Sequence, residues 1–255
     1  MEDYVSIMHM DVTELREFYA GTLGQVTADA LTNSLSAIWG ETRDDQFLGL
    51  GYPVPWLERF APDAGNAVCL MPASQGALPW PFRGPVSTAL SHDDEFPFRD
   101  ASFDRILMAH FLEHAENANE CLSEAWRVLS PGGTLIIIVP NRRGVWARFE
   151  NTPFGTGKPY SRGQLDRALK SNRFTPSAWG DALHFPPSER AISLRMHTSW
   201  ERVGRRLWPV FAGAICVTAT KRLYEGIPAT ARARRRLSVP VLVPQGTGRT
   251  TSHRD

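Results

Sequence analysis

The sequence predicts an α/β fold built around a mainly parallel sheet. Short apolar runs alternate along the chain with stretches of helical periodicity, as expected for strands that are joined by helical crossovers. The run 135–139 (LIIIV) contains no polar residue, which is typical of a strand covered on both faces. Residues 117–129 carry apolar side chains at helical spacing, and the SPGG segment at 130–133 is expected to end that helix in a turn.

The other elements follow from the same patterns. Asp11 is a plausible N-cap for a helix over residues 11–19, and a second helical stretch covers 28–39. The pair Ser161 and Gln164 has capping-box spacing and predicts a helix through Leu169. Strands are expected at 47–50, 67–71, 86–90, 106–109, 135–139 and 211–220.

Composition and charge exclude several classes of partner. The formal net charge of +1 gives no reason to expect a nucleic-acid ligand. The three cysteines are far apart and outside any C-x-x-C spacing, which favours a reducing cytoplasm over a disulfide framework or a zinc knuckle. Residues 1–10 do not have the pattern of a signal peptide, and no aliphatic run could cross a bilayer. We therefore expect a cytoplasmic protein without a membrane partner.

Five segments resemble one enzyme superfamily. Residues 96–104 (FPFRDASFD) are similar to the L-P-F-x-x-x-S-F-D segment of class I S-adenosylmethionine (SAM)-dependent methyltransferases of type 11. The resemblance continues, in the family's order and spacing, through 112–114 (LEH), 124–129 (EAWRVL), 131–133 (PGG) and 139–141 (VPN). It implies a Rossmann-like, seven-stranded, mostly parallel sheet with helices on both faces. It also implies SAM as the cofactor and a small molecule as the substrate.

The domain limits follow from the same resemblance. Strand order is compatible with the family over residues 46–225, which we interpret as a methyltransferase-like domain. Residues 1–45 precede it as an N-terminal helical extension. Residues 226–255 lose apolar periodicity and gather arginines, so a flexible C-terminal tail is expected there.

The resemblance places the cofactor contacts at the carboxyl ends of the first four strands, where open α/β sheets bind ligands. The residues at those positions are Gly49, Gly51, Tyr52, Met71, His92, Asp93, Ala109 and His110.

The first glycine motif of this sequence is degenerate. Gly49 stands at the family's acidic position, and only Gly51 survives of three alternating glycines, since Pro53 and Pro55 replace the others. Pro72 lies near the position of the carboxylate that grips the ribose. A hydrogen bond to a charged group contributes about 1.5–3 kcal/mol, so losing one carboxylate predicts SAM binding that is roughly 10- to 150-fold weaker. A catalytically inactive binding or regulatory module of the same fold is therefore the alternative to an enzyme.

Two loops are expected to shape the site. Tyr52 and Val54 each precede a proline, which pushes both residues toward extended backbone conformations. Residues 150–160 (ENTPFGTGKPY) form a Gly/Pro-rich segment that we expect to act as a lid over the pocket. The alternative for this second loop is a surface connection far from any cavity.

The substrate side of the family fold lies after the fifth strand. The residues expected there are Asn141, Arg142, Phe154, Lys158 and Tyr160, which could instead belong to solvated turns. They offer an anion-binding group, an apolar wall and a hydroxyl to a bound molecule.

His110 is the candidate catalytic base, because an unperturbed imidazole titrates near neutrality. A hydrogen-bonded structural histidine is the alternative. His110, Glu113 and His114 also match the H-x-x-E-H motif of zinc peptidases, which requires both histidines on one helical face. The predicted strand at 106–109 runs directly into His110, so no metal site is expected.

Overall fold

The computed structural model describes residues 10–40, 45–60, 66–188, 201, 204 and 211–223, and every structural statement below concerns these residues. The chain divides into two compact units, Met1–Leu223 and Tyr224–Asp255, and all the elements described here belong to the first. The tail expected at 226–255 lies outside the described residues.

The described helices and strands alternate along most of the chain. In order they are α1 (Val12–Ala20), α2 (Thr22–Ser36), β1 (Gln46–Gly51), α3 (Val54–Phe60), β2 (Asn66–Pro72), β3 (Thr88–Ser91), β4 (Phe103–Ala109), α4 (Ala118–Val128), β5 (Leu129–Pro140), a short 3₁₀ helix (Trp146–Arg148), α5 (Arg162–Ser171), β6 (Phe174–Ala182) and β7 (Ala214–Lys221). None of these helices is both long enough and apolar enough to cross a membrane.

The strands form one seven-stranded sheet in the order β3-β2-β1-β4-β5-β7-β6. Strands β1 to β5 pair in parallel, whereas β7 is antiparallel to both of its neighbours, β5 and β6. The predicted α/β fold with a mostly parallel seven-stranded sheet is therefore confirmed.

Two apolar cores cover the two faces of the sheet. Ile136 and Ile138 of β5 join the core that contains side chains of α1, α2 and α3. Leu135 and Ile137 alternate with them and join the core that contains side chains of α4 and α5. This burial on both sides explains why the run 135–139 has no polar residue, and it places helices on both faces.

Helix caps confirm the predicted starts of α1 and α5, whereas α2 begins at Thr22 and not at residue 28 as expected. Asp11 accepts the backbone N–H of Thr13 at 2.7 Å and opens α1 in a capping box with Glu14. Ser161 and Gln164 form the second predicted capping box and open α5. Each box satisfies N–H groups that the first helical turn leaves without partners.

Helix α3 corrects the expectation of extended backbone at Val54. The structure makes Val54 the first residue of α3 and places Pro55 next to it, inside the first turn. Proline is tolerated there because the N–H groups of the first turn have no partner within the helix. The local helical turn therefore outweighs the steric bias that Pro55 imposes on the residue before it.

The SPGG segment is part of a strand and not the turn that the sequence predicted. Phe103 of β4 pairs with Leu129, but Arg105 pairs with Thr134, so residues 130–133 bulge out of the ladder. Gly132 takes a φ of 77°, a left-handed conformation that glycine adopts readily. Strand β6 was not predicted, because its alternation of small and polar residues lacks an apolar run.

Candidate functional site

The carboxyl ends of β1 and β4 meet at a tight turn around Gly51. Gly51 has a φ of 81°, and a Cβ added there would collide with the carbonyl oxygen of Ala109. The backbone N–H of Tyr52 donates to that same oxygen at 2.8 Å. Gly51 is therefore required both for its left-handed conformation and for the close approach of the two strand ends.

A buried group of rings lies over this turn, which we call the aromatic cluster: Tyr19, Tyr52, Trp56, His110 and Phe154. Tyr19 of α1 is central to it. Its ring stacks on Tyr52 with centroids 5.8 Å apart and meets the edge of Trp56 at 5.6 Å. The ring of Phe154 packs edge-on against His110 at 5.0 Å. These side chains come from α1, from residues 52–56, from the end of β4 and from the loop at 150–160. Only the fold brings these four parts of the chain together.

Three of the buried groups form a polar chain within this apolar surrounding. The hydroxyl oxygen of Tyr19 lies 2.7 Å from Nε2 of His110, and Nδ1 of His110 lies 3.4 Å from Oε1 of Glu113. The contact with Glu113 is an ion-pair distance, longer than an ordinary hydrogen bond of this kind. A carboxylate beside Nδ1 favours the tautomer with its proton there, so Nε2 accepts the hydrogen of the Tyr19 hydroxyl.

Backbone strain and burial both mark this chain of groups. His110 is a non-glycine residue with a φ of 53°, and this turn at the end of β4 brings Glu113 back to the imidazole. Glu113 is fully buried, and neither of its carboxylate oxygens has a hydrogen-bond partner among the described residues. Burial raises the pKa of Tyr19 well above its ordinary value, so this phenol stays protonated at neutral pH.

Hydrogen bonds to the backbone hold the loops around His110 in place. The side-chain amide of Gln75 donates to the carbonyl oxygen of His110 at 2.8 Å, which ties the turn after β2 to the end of β4. The carbonyl oxygen of Gln75 accepts the N–H of Val12 at 2.9 Å and thereby docks the start of α1. Lys158 donates its backbone N–H to the carbonyl oxygen of Glu113 at 2.7 Å. The turn after β2 and the loop at 150–160 are therefore both anchored to the turn at 110–113, and α1 is docked to the first of them.

The first-strand loop leaves no room for the family's acidic side chain. A Cβ added at Gly49 would lie 2.5 Å from Cγ of Pro53 and 2.9 Å from Cδ1 of Leu57. The glycine at this position and the proline four residues later are thus sterically matched. The two departures from the family motif are therefore not independent.

The residues expected at the ends of β2 and β3 are separate from the aromatic cluster. Met71 is fully buried in β2, and Pro72 ends that strand in register with Ser91. His92 is exposed, while Asp93 accepts the backbone N–H of Glu116 at 3.0 Å. Asp93 therefore secures the loop before α4, and its part in cofactor binding stays a prediction.

The residues expected to contact substrate divide into two groups. Phe154 belongs to the aromatic cluster, and Tyr160 is half-buried, with burial raising its pKa to about 12. Asn141 is buried, donates to the carbonyl oxygen of Ala212 at 2.8 Å and lines a separate cavity of about 460 Å³. Arg142 and Lys158 are exposed. The substrate roles of all five stay predictions.

The loop at 150–160 packs onto the site through its central residues. Thr152 and Phe154 are buried, and Phe154 also meets Trp146 with ring centroids 5.7 Å apart. A Cβ at Gly157 would lie 3.0 Å from the imidazole of His114, so this part of the loop approaches the turn after β4 closely. The hypothesis that this loop opens to admit a ligand stays a prediction.

The H-x-x-E-H match does not form the helix that the zinc motif requires. Residues 106–109 belong to β4, and residues 111–114 form a bend and a turn. His110 and His114 therefore do not share a helical face.

Sequence comparison agrees with the geometry of the sheet. Residues 49–137 match a methyltransferase domain family, a stretch that runs from β1 into β5. A demethylmenaquinone methyltransferase of Parafrankia sp. is 28% identical over 133 residues, which cover 52% of this chain and 50% of that protein. The chain spans half or less of the length of the curated relatives that it matches.

Solved structures show the same architecture. A SAM-dependent methyltransferase from Archaeoglobus fulgidus superposes with a TM-score of 0.58 at 16% identity, covering 83% of this chain and 100% of that one. One from Thermotoga maritima gives 0.57 at 15% identity, covering 83% and 96%. The chain resembles the class I methyltransferases in sequence and in fold. At these identities the structural likeness concerns the fold alone.

The described residues of this methyltransferase fold do not fit SAM well. Gly51 keeps the close turn, but Gly49 and Pro72 supply no carboxylate, and Pro53 closes the space where one would stand. The ring of Tyr52 is buried directly after that turn, and its backbone N–H is already bonded.

Sequence reasoning missed four residues of the site: Tyr19, Trp56, Gln75 and Glu113. The buried spacing of Val12, Leu15 and Tyr19 marks the inner face of α1, but it does not reveal what that face covers. Glu113 was visible only within the family-like segment 112–114 and the zinc-like motif, neither of which assigned it to the site. The link between α1 and the end of β4 is a tertiary contact across 91 residues, and no local pattern contains it.

Proposed function

We propose that this protein is a SAM-dependent methyltransferase that acts on a small molecule and binds its cofactor weakly. The observation that carries this proposal is the methyltransferase-family match over residues 49–137, which includes the Gly51 turn and all or part of strands β1 to β5, in the order of the family fold. A cytoplasmic location and the domain limits 46–225, after an extension at 1–45, belong to the same proposal.

Weak cofactor binding follows from the first-strand loop. Gly49 and Pro72 remove two carboxylates that could accept hydrogen bonds from the cofactor, each worth about 1.5–3 kcal/mol. Dissociation constants in the range of about 0.1–1 mM are expected in place of micromolar values.

Isothermal titration of the purified protein with SAM and S-adenosylhomocysteine tests this proposal. A variant that combines Gly49→Asp with Pro53→Gly places an acid at the family position and removes the nearer of the two side chains that crowd it, so it should bind SAM about tenfold more tightly. Lys170→Ala, an exposed change in α5, is the matched control. A sub-micromolar constant for the unmodified protein would contradict the proposal, as would an unchanged constant in the double variant.

A second candidate is a non-catalytic binding or regulatory module of the same fold. It is favoured by the aromatic cluster, whose five rings are all buried over the Gly51 turn. Absence of SAM binding in both the unmodified protein and the folded double variant would support this candidate. Transfer of a labelled methyl group from SAM to any small molecule in an extract would reject it.

A further inference from the structure

We propose that the space filled by the ring of Tyr19 is a binding site for a small phenol, with His110 as the hydrogen-bond acceptor of the phenolic hydroxyl group. The inference deepens the proposed function, on which it rests, by naming the class of small molecule. In the present structure Tyr19 occupies this site as a phenol supplied by the protein itself.

The surroundings of Tyr19 have the features of a phenol site. Tyr52 stacks on one side of the ring at an interplanar angle of 17°, and Trp56 presents its edge at 81°. Aromatic pairs in these two arrangements are favourable beyond the area that they bury. The hydroxyl points at Nε2 of His110 at 2.7 Å, so the one polar atom of the ring meets one polar partner. Apolar walls with a single oriented polar group are typical of small-molecule sites.

Glu113 orients the hydrogen-bond acceptor of the site. It is fully buried, and its Oε1 lies 3.4 Å from Nδ1 of His110. A carboxylate beside Nδ1 favours the tautomer that carries its proton there. Nε2 is therefore left as the acceptor for the hydroxyl group of a bound phenol, which keeps its proton as Tyr19 does.

Tyr19 is placed so that its side chain can leave. It is the last residue but one of α1, and the chain changes direction at Gly21 between α1 and α2. An incoming phenol would replace both the ring contacts and the hydroxyl hydrogen bond that Tyr19 makes. Nε2 of His110 therefore has a hydrogen-bond partner both before and after the exchange, which keeps the free-energy cost of the exchange low.

The test uses p-cresol, which has the shape of a tyrosine side chain, and toluene, which lacks only the hydroxyl. Tyr19→Ala should bind p-cresol at least tenfold more tightly than toluene. The unmodified protein should show the same preference with an affinity at least tenfold lower, because its own Tyr19 competes. Glu17→Ala, at an exposed residue of α1, is the control and should leave the affinity of the unmodified protein unchanged.

The surroundings of the bound hydroxyl group are tested with p-nitrophenol, whose phenolate is coloured. Bound p-nitrophenol should ionise at a higher pH than the free compound in Tyr19→Ala, because burial and the charge of Glu113 raise the pKa of a phenol at this position, and this shift should shrink in Tyr19→Ala/Glu113→Gln. Tyr19→Ala/His110→Phe should lose the preference for p-cresol over toluene. Because His110 has an unusual backbone conformation, circular dichroism must show that this variant is folded, and the Glu113 variant decides if it is not.

Equal binding of p-cresol and toluene to Tyr19→Ala would overturn the inference, and so would the absence of phenol binding to the unmodified protein. SAM titration of the same samples separates this outcome from the proposed function. Phenol binding without SAM binding rejects the methyltransferase and keeps the site. SAM binding without a phenol preference rejects the site alone.

Discussion

Cγ of Pro53 lies 2.5 Å from the point where a side chain on Gly49 would begin. The proline ring thus fills the volume that the first atom of an acidic side chain would need. Because of this contact, the departures from the family motif at residues 49 and 53 form one structural feature. Replacing Gly49 alone therefore does not restore the motif. An acid at residue 49 requires a smaller residue at 53.

The first prediction concerns Gly49→Asp without a second change. It should lower the free energy of unfolding by about 1–3 kcal/mol, because overpacking in a buried strand forces its neighbours to move. Urea denaturation measures the loss. Pro53→Gly in the same chain should recover at least half of it, whereas an additive effect of the two changes would mean that Pro53 does not create the clash.

The second prediction compares two glycines with similar backbone conformations. Gly51 and Gly132 have φ values of 81° and 77°, but a Cβ at Gly132 meets no atom within 4 Å. Gly132→Ala should therefore cost only about 1 kcal/mol of conformational strain. Gly51→Ala adds a collision with the Ala109 carbonyl and should cost about 3 kcal/mol or more. Equal losses in urea denaturation would show that the close approach of β1 and β4 is unimportant.

The fold was predictable because its sequence patterns either lie within one helix or strand or follow one another in the order and spacing of the family. The apolar run 135–139 and the caps at Asp11 and Ser161 predict elements that the structure contains. The segment 96–104 is held to α4, because Arg127 donates to the carbonyl oxygen of Phe96 at 2.9 Å.

The site was less predictable because its central contacts are distant in sequence. Helical periodicity predicts α1 but not that its residue Tyr19 meets His110, since the two are joined only by the packing of α1 over the sheet. Strand β6 was missed for a related reason. It pairs only with β7, and most of its residues are half-exposed, so its alternation of side chains is weak.

The third prediction uses the ion pair between Glu124 and Arg127. Hydrogen bonds from Arg127, together with the backbone N–H of Phe96, hold the pKa of Glu124 below its ordinary value of 4.5. Because the folded pKa is lower than the unfolded one, this stabilisation is present above the unfolded pKa and is lost as the pH falls through the folded pKa. Both side chains are partly exposed, so Glu124→Gln should cost about 1 kcal/mol at pH 7.

The loss of stability on acidification provides the measurement. Urea denaturation of the unmodified protein and of Glu124→Gln from pH 7 to pH 3 should give curves that converge below the folded pKa. Asp166→Asn, which removes an exposed partner of Lys170, is the matched control and should change stability by less than about 0.5 kcal/mol. A difference between Glu124→Gln and the unmodified protein that stays constant with pH would contradict the assignment.

The fourth prediction concerns the three cysteines. Burial raises the pKa of Cys69 and of Cys216 to about 12, and it raises that of Cys121 further. The thiolate is the reactive form, so native protein at pH 8 should not react with Ellman's reagent over minutes. Three equivalents should appear in denaturant. Rapid titration of any thiol in the native state would show that its surroundings open on that timescale.

The last prediction addresses the loop at 150–160 and its anchor, Phe154. If this loop opens as a unit, truncating the anchor should release the loop without loosening the sheet beneath it. Phe154→Ala should therefore speed hydrogen exchange at least tenfold at the N–H of Lys158, which donates to the Glu113 carbonyl, while amides of β4 keep their protection. Phe149→Ala, at a ring that is 39% exposed, is the matched control and should leave both rates unchanged. Parallel acceleration in the loop and in β4 would mean that Phe154 belongs to the global core and that the loop is not a lid.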